Sequence, residues 1–214
     1  MILMPPTPPG SKVFIIDDDA AVRVSIADLL ESAGLASETF GTPQEFLPPP
    51  PLTGPGCIVL DLRLPGMDGL AVQRALADAG ITMPIIFLTA FADVPTTVKA
   101  MKSGAMEFLT KPFDDQELLE AIYHALERDD AARGQQHELS TLQDRYTRLT
   151  PRERQVMAHV VSGRLNKQIA ADLGTSEITV KVHRQRVMRK MQAESLAELV
   201  RLAARIEPHR YTKR

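Results

Sequence analysis

The most constraining feature of this sequence is a regular alternation of short apolar runs and amphipathic segments over its first half. Amphipathic or capped segments, which are typical of helices, lie between these runs and after the last one. Five units of this kind in succession predict a doubly wound five-stranded parallel sheet with helices on both faces, because parallel neighbours need crossover connections. The predicted strands are VFIID (13–17), ASETF (36–40), CIVLD (57–61), PIIFLT (84–89) and AMEFLT (105–110).

Polar side chains collect where these strands end. Asp17, Asp61 and Thr89 each close a run, Asp18 follows the first run and Lys111 follows the last. Ligands of open parallel sheets bind outside the carboxyl ends of the strands. Three carboxylates in one crevice repel one another unless a cation lies among them, and oxygen-only ligands favour Mg²⁺. The pattern predicts a pocket for a small trianionic group beside Mg²⁺, with a carboxylate oxygen as candidate nucleophile.

Each of these residues also has a simpler interpretation. Asp18 would cap the first helix, Asp68 would cap the third, and Lys111 would be a solvated lysine. The agreement of four strand ends favours the pocket over this set of separate explanations.

Four stretches in order, FIIDDD, LDLRLPGMDG, FLTA and EFLTKPF, resemble the receiver domain of two-component response regulators, a CheY/flavodoxin-like fold, over residues 12–127. The resemblance implies that Asp61 is the phosphorylated residue. It also implies that Asp18, Asp61 and the backbone carbonyl of Arg63 bind Mg²⁺ directly, while Asp17 acts largely through water.

The same resemblance implies a conformational switch. Thr89 and Lys111 would contact the phosphoryl oxygens, and Phe108 would turn inward when Thr89 moves. The Lys111–Pro112 bond would be cis, an isomer that proline makes accessible.

Charge divides the chain. Residues 1–127 hold 7 Lys and Arg against 17 Asp and Glu, whereas residues 150–214 hold 14 against 6. The basic C-terminal part predicts a second domain that binds nucleic acid, although a basic surface can also be merely solvated. Residues 128–148 are predicted as a helical linker: either the last receiver helix continues into a helix that pairs with its copy in a dimer, or a helix packs on its own domain and a solvated linker follows.

The chain has one cysteine, Cys57, and no apolar run long enough to span a bilayer. Both features predict a cytoplasmic protein in a reducing compartment. The proline-rich residues 1–11 are predicted to be disordered, and residues 209–214 to form a flexible tail.

The second half predicts an all-α domain of four helices over residues 149–208. LTPRE places Thr150 as a cap, Pro151 in the first turn and Glu153 in a capping box. Asn166 is predicted to cap the second helix and Ser176 the third. Two short helices around a tight glycine-containing turn predict a helix-turn-helix.

The third of these helices has two different sides. At about 100° per residue, Val180, Val187 and Met191 face one side, which should be core. An exposed valine among basic and amide side chains on the opposite side favours a helix in a DNA major groove over a merely solvated helix. The predicted DNA-contacting residues are Lys167, Ser176, Thr179, Lys181, Val182, Gln185, Arg186 and Arg189.

The stretches LTPRERQVM, GRLNKQIAADLGTSEITVKVHR and SLAELVRLA resemble the LuxR-type helix-turn-helix over residues 146–206. With a receiver in front, the chain is similar to the NarL/FixJ class of response regulators, nearest its FixJ side. The resemblance implies that Lys181, Val182 and Gln185 face bases. Gln185 stands where relatives often carry Lys or Arg, which predicts adenine readout.

The predicted function is phosphorylation-controlled regulation of transcription. Asp61 would accept a phosphoryl group from a sensor histidine kinase with Mg²⁺, and the protein would form a homodimer that binds double-stranded promoter DNA. RNA polymerase is a further expected partner, and a membrane is not. We expect no enzymatic activity beyond self-catalysed phosphotransfer and dephosphorylation.

Two alternatives remain at this stage: a Mg²⁺-dependent phosphohydrolase that forms an aspartyl-phosphate, and an adaptor whose receiver is not phosphorylated. Arg63 stands where the phosphohydrolase would need a second carboxylate, which disfavours the first alternative.

Overall fold

The computed structural model describes residues 7–90 and 94–206, except for the side chains of residues 94–96. The chain divides into two compact units, Met1–Arg133 and Gly134–Arg214. The division falls inside the segment 128–148 that the sequence assigns to a linker.

The described residues of the first unit form one sheet of five strands. They are β1 (Lys12–Ile16), β2 (Ala36–Phe40), β3 (Gly56–Asp61), β4 (Ile85–Thr89) and β5 (Glu107–Thr110). All neighbours are parallel, in the order β2-β1-β3-β4-β5. The predicted parallel sheet is confirmed, with strand boundaries shifted by at most two residues.

Helices cover both faces of this sheet, as the fold class predicts. The helices that begin in the described residues of the first unit are α1 (Ala20–Ser32), α2 (Pro43–Phe46), α3 (Gly69–Asp78), α4 (Val94–Lys102) and α5 (Asp115–Thr147), the last of which ends in the second unit. Alternate strand residues such as Val59 and Ile86 pack with α1 and α5, whereas Leu60 and Phe87 pack with α2, α3 and α4. Because both faces of the sheet are covered, β1, β3 and β4 are almost continuously apolar, whereas the edge strands β2 and β5 also carry polar and exposed residues.

Helix α5 is continuous from Asp115 to Thr147 and therefore passes through the boundary between the two units. Near this boundary Asp129 is only 4% exposed. Its Oδ2 accepts the backbone N–H of Gly56 at 2.8 Å and Nε–H of Arg133 at 2.6 Å. The bond from Gly56 holds α5 against the amino end of β3, next to the fully buried Cys57, whereas the bond from Arg133 lies within α5.

In the described part of the second unit, up to residue 206, four further helices follow: α6 (Pro151–Val161), α7 (Asn166–Asp172), α8 (Glu177–Met191) and α9 (Leu196–Ile206). They enclose a separate apolar core that includes Val156, Ile169, Val180, Val187 and Leu199. The predicted all-α domain with a helix-turn-helix is confirmed in these elements.

The caps of the second unit agree with the sequence in two places and differ in one. Thr150 Oγ1 accepts the N–H of Glu153 at 3.2 Å, and Glu153 Oε2 accepts the N–H of Thr150 at 2.8 Å, which completes the predicted capping box. Ser176 caps α8 by accepting the N–H of Thr179. The prediction that Asn166 caps α7 is wrong, because Asn166 is already the first helical residue and the side chain of Gln168 accepts the N–H before it.

Part of the N-terminal segment predicted to be disordered is described. In residues 7–11 the Ser11 hydroxyl donates to the carbonyl of Pro8 at 2.6 Å. Residues 1–6 and the predicted tail 209–214 lie outside the described residues. Among the described helices, none combines the length and apolar character needed to cross a membrane.

Candidate functional site

The strand register brings the predicted carboxylates together. Ile16 pairs with Leu60, so the residues that follow them, Asp17 and Asp61, lie side by side at the carboxyl edge of the sheet. Carboxylate oxygens of Asp17, Asp18 and Asp61 all lie within 4.8 Å of one another. Asp17 and Asp61 are buried, whereas Asp18 is exposed at the rim. An oxygen-only set of this charge suits a hard divalent cation such as Mg²⁺.

Lys111 supplies a positive charge to the same cluster. Its Nζ lies 2.5 Å from Asp17 Oδ2 and 2.7 Å from Asp61 Oδ2. The turn that presents it includes a cis Lys111–Pro112 bond, as the resemblance predicted, and the N–H of Lys111 donates to the carbonyl of Thr89 at 2.8 Å. The interpretation of Lys111 as a merely solvated lysine is wrong, because its ammonium bonds to two buried carboxylates.

Burial and hydrogen bonding shift the pKa values of Lys111 and Asp17 in opposite directions. Burial favours the neutral form of Lys111, but its bonds to Asp17 and Asp61 outweigh this effect and raise the pKa of the ammonium above its ordinary value. Burial raises the pKa of Asp17, and the bonds from Lys111 and Asp19 only partly offset that rise. Lys111 therefore carries its charge in this pocket at neutral pH.

The loop after β3 holds Asp61 in place. Asp61 Oδ1 accepts the N–H of Arg63 at 3.0 Å. The chain then returns close to the strand, where Gly69 donates its N–H to the carbonyl of Leu62 at 2.9 Å. A Cβ at Gly69 would lie 2.6 Å from the carbonyl oxygen of Asp61, so this close approach requires glycine. Asp68 caps α3 through the N–H of Ala71, as the simpler interpretation of that residue predicted.

The first loop differs from that simpler interpretation. Asp19, not Asp18, caps α1, since its Oδ1 accepts the N–H groups of Ala21 and Val22 at 2.8 and 3.4 Å. The alternative role of Asp18 as the cap is wrong because the helix begins one residue later than that role requires.

Sequence reasoning missed Arg23. Its Nη1 donates to the backbone carbonyl of Asp17 at 2.6 Å and so steadies the loop that carries the acidic residues. The only sequence signal is that Arg23 lies one turn into a helix that starts beside the pocket.

The two predicted switch residues lie on the neighbouring strands β4 and β5. Thr89 is fully buried at the end of β4, where it pairs with Thr110 of β5. Phe108 is half-buried, and its ring centroid lies 6.3 Å from that of Phe87. Their movement on phosphorylation stays a prediction.

Helix α8 has a core side and an exposed side, as its sequence indicated. Val180, Val187 and Met191 are buried. The exposed residues of the predicted DNA-contacting set are Lys167, Ser176, Lys181, Val182, Gln185, Arg186 and Arg189, and Thr179 is half-buried. Contacts between these side chains and DNA stay a prediction.

Other basic residues of the second unit bond within it. Arg184 donates to Asn166 Oδ1 at 3.3 Å, Arg152 donates to the carbonyl of Leu173 at 2.5 Å, and Lys190 Nζ lies 2.6 Å from Glu153 Oε2. These bonds hold α6, α7 and α8 against one another, so these three basic side chains stabilise the domain.

Comparison with known families agrees with an acidic pocket in the first unit and a helix-turn-helix in the second. Residues 13–123 match the response regulator receiver domain, and residues 147–203 match the family of bacterial regulatory proteins described as the luxR family. The chain belongs to the response regulators. Within them it is a transcription regulator of the NarL/FixJ class, near FixJ, with a LuxR-type DNA-binding domain after its receiver.

Several relatives match nearly the whole chain. Nodulation protein W of Bradyrhizobium diazoefficiens is 48% identical over 191 residues, which cover 89% of this chain and 84% of that protein. The transcriptional regulatory protein FixJ of the same organism is 42% identical over 193 residues, covering 90% and 94%. The solved structure of the response regulator StyR superposes with a TM-score of 0.84 at 44% identity, covering 91% of this chain and 98% of StyR.

Proposed function

We propose that this response regulator is switched on by phosphorylation of Asp61 in the presence of Mg²⁺. The observation that carries the proposal is the position of Asp61 Oδ2, 2.7 Å from Lys111 Nζ and within one acidic cluster with Asp17 and Asp18. A nucleophilic carboxylate needs nearby positive charge when a trianionic group arrives, and this pocket provides a lysine and a cation site.

The residues of the pocket have separate tasks in this reaction. An oxygen of Asp61 attacks the phosphorus of a phosphohistidine on the sensor kinase, and the phosphorus–nitrogen bond to the imidazole breaks. The N–H of Arg63 on Oδ1 fixes the orientation of the carboxylate. Lys111 then neutralises charge on the transferred group. Asp17, Asp18, Asp61 and the Arg63 carbonyl would hold Mg²⁺, which would supply further neutralisation of the acidic residues and the phosphoryl oxygens.

The phosphoryl group would change the surface of the receiver through Thr89. Its hydroxyl would be drawn towards the new charge, and Phe108 would follow into the space it leaves. Two exposed hydrophobic side chains on α4 support a dimer: Val98 is 44% exposed and Met101 is 43% exposed. The phosphorylated protein would form a homodimer through this face.

The dimer would place two α8 helices on double-stranded promoter DNA. The exposed basic residues of α8 support this part of the proposal, since phosphate contacts supply much of the affinity for DNA. RNA polymerase would be a further partner at the promoter. Apart from accepting and losing its own phosphoryl group, the protein would have no enzymatic activity.

The decisive experiment is phosphorylation of the full-length protein by acetyl phosphate with Mg²⁺, followed by intact mass spectrometry. We expect one phosphoryl adduct on the unaltered protein and none on Asp61→Asn, because the amide is a poor nucleophile of nearly the same shape. Undiminished labelling of Asp61→Asn would refute the assignment of Asp61.

A further inference from the structure

We infer that Ile178 is an additional sequence-reading residue of α8 and that it contacts the methyl group of a thymine in the major groove. This inference rests on the proposed DNA binding by α8. Its starting observation is exposure: at 78%, Ile178 is the most exposed large hydrophobic side chain in the described part of the chain.

A single exposed hydrophobic residue is common on protein surfaces, so exposure alone does not indicate a contact with DNA. The position of Ile178 on α8 does. With about 100° between successive helical residues, Val182, Gln185 and Arg189 all point within roughly 40° of the direction of Ile178. The buried residues Val180, Val187 and Met191 point roughly 140–180° away from it. Ile178 therefore lies along the middle of the exposed surface of α8, directly opposite the core.

The position along the helix matters as well. Ile178 is the second residue of α8, in a first turn that Ser176 caps by accepting the N–H of Thr179. Side chains at the start of a helix point back towards its N-terminus. In helix-turn-helix proteins the N-terminal residues of the recognition helix are those that contact base edges.

The chemistry of the side chain limits what it can read. Isoleucine has no hydrogen-bonding group, and the thymine C5-methyl is the apolar group that base edges present in the major groove. Val182 lies one turn further along the same side and is 41% exposed. Residues four apart on a helix are neighbours, so Ile178 and Val182 form one apolar strip that fits thymine methyls.

The test removes single methyl groups from the DNA. A duplex is first selected from a random pool by the phosphorylated full-length protein, and each thymine in it is then replaced in turn by uracil. At the position read by Ile178, the replacement should weaken binding of the unaltered protein about fourfold, the effect expected for one buried methyl group.

Two variants test whether Ile178 is the residue that contacts this thymine. Ile178→Ala should bind the selected duplex about fourfold more weakly and should show no further loss when that particular thymine becomes uracil. Leu196→Ala alters an exposed apolar residue on α9 and should keep the complete thymine pattern of the unaltered protein. Thermal unfolding of both variants should match the unaltered protein, because both side chains are exposed.

Two results would overturn the inference. One is an Ile178→Ala protein that retains the same uracil sensitivity as the unaltered protein at every thymine. The other is full affinity of Ile178→Ala for the selected duplex. If the unaltered protein selects no duplex at all, the proposed DNA binding fails and the inference falls with it, an outcome that is distinct from both.

Discussion

Lys190 and Glu153 form an ion pair in which Nζ lies 2.6 Å from Oε2, and the carboxylate is almost completely buried. The same oxygen of Glu153 accepts the N–H of Thr150, while Lys190 also donates to the carbonyl of Arg148 at 3.1 Å. One carboxylate thus caps the first turn of α6 and also holds the C-terminal end of α8.

We expect the second unit to lose stability at acidic pH through Glu153. Burial would raise the pKa of this carboxyl, but the bonds from Lys190 and Thr150 outweigh it and bring the pKa below the ordinary 4.5. A group with a lowered folded-state pKa contributes stability above its unfolded pKa and loses it as the pH falls through the folded value. Thermal unfolding of residues 134–214 at decreasing pH should show this loss below pH 4.5, with a smaller dependence in Lys190→Met. Parallel pH curves for the two proteins would contradict it.

The adjacent residues Asp18 and Asp19 should behave differently when altered. Asp18→Ala removes an exposed candidate Mg²⁺ ligand and should slow phosphorylation by acetyl phosphate without a change in melting temperature. Asp19→Ala removes the cap of α1 and should cost about 0.5–2 kcal/mol of stability. Removal of Mg²⁺ with a chelator should slow the unaltered protein and leave little further effect on Asp18→Ala. Equal phosphorylation rates for Asp18→Ala and the unaltered protein would exclude Asp18 as a ligand.

Thr89→Ala should separate phosphorylation from dimerisation. The variant keeps Asp61 and Lys111 and should still take up a phosphoryl group, but it lacks the hydroxyl that would follow the new charge. Sedimentation velocity should therefore show a monomer–dimer shift on phosphorylation of the unaltered protein and an incomplete shift for the variant. A tight dimer of the unmodified protein would mean that other surfaces hold the copies together.

Base contacts and phosphate contacts can be distinguished on α8. Lys181→Ala and Gln185→Ala should each cost about 1–3 kcal/mol on the selected duplex and much less on random DNA. Affinity should fall as salt rises, because bound Lys and Arg displace counterions. Arg184→Ala is a control, since Arg184 bonds to Asn166 within the domain and should affect folding stability more than base preference. Equal losses on both DNAs would show that Lys181 and Gln185 do not read bases.

Asp129→Ala should destabilise the receiver. The change leaves the buried N–H of Gly56 without its acceptor, which costs about 1–3 kcal/mol. Asp130→Ala removes the same charge from the exposed neighbouring position and should have little effect. Urea unfolding of the full-length variants, followed by circular dichroism, measures the difference; equal midpoints would show that the Asp129 bond contributes nothing.

The sheet and the acidic pocket could be predicted because their signals are local. Each strand is a short apolar run, and parallel register then forces Asp17 and Asp61 together. The bonds of Asp129 to Gly56 and of Arg23 to the Asp17 carbonyl could not be predicted, because bonds from side chains to backbone groups leave no periodic pattern in the sequence.

Cap residues were the other limit of prediction. The alternative interpretation of Asp18 as the cap of α1 is one residue too early, because Asp19 is the cap. A cap is defined by where the helix begins, and sequence patterns locate that residue only approximately.

The single cysteine of the chain allows local opening of the receiver to be measured. Cys57 is completely buried in β3, and burial, together with the nearby charge of Asp129, raises the pKa of its thiol. A thiol that is both covered and protonated cannot react with alkylating reagents until the strands around it separate. The rate of Cys57 alkylation in the native protein therefore measures how fast the sheet opens at the amino end of β3. No engineered label is needed. The rate can be compared between phosphorylated and unmodified protein.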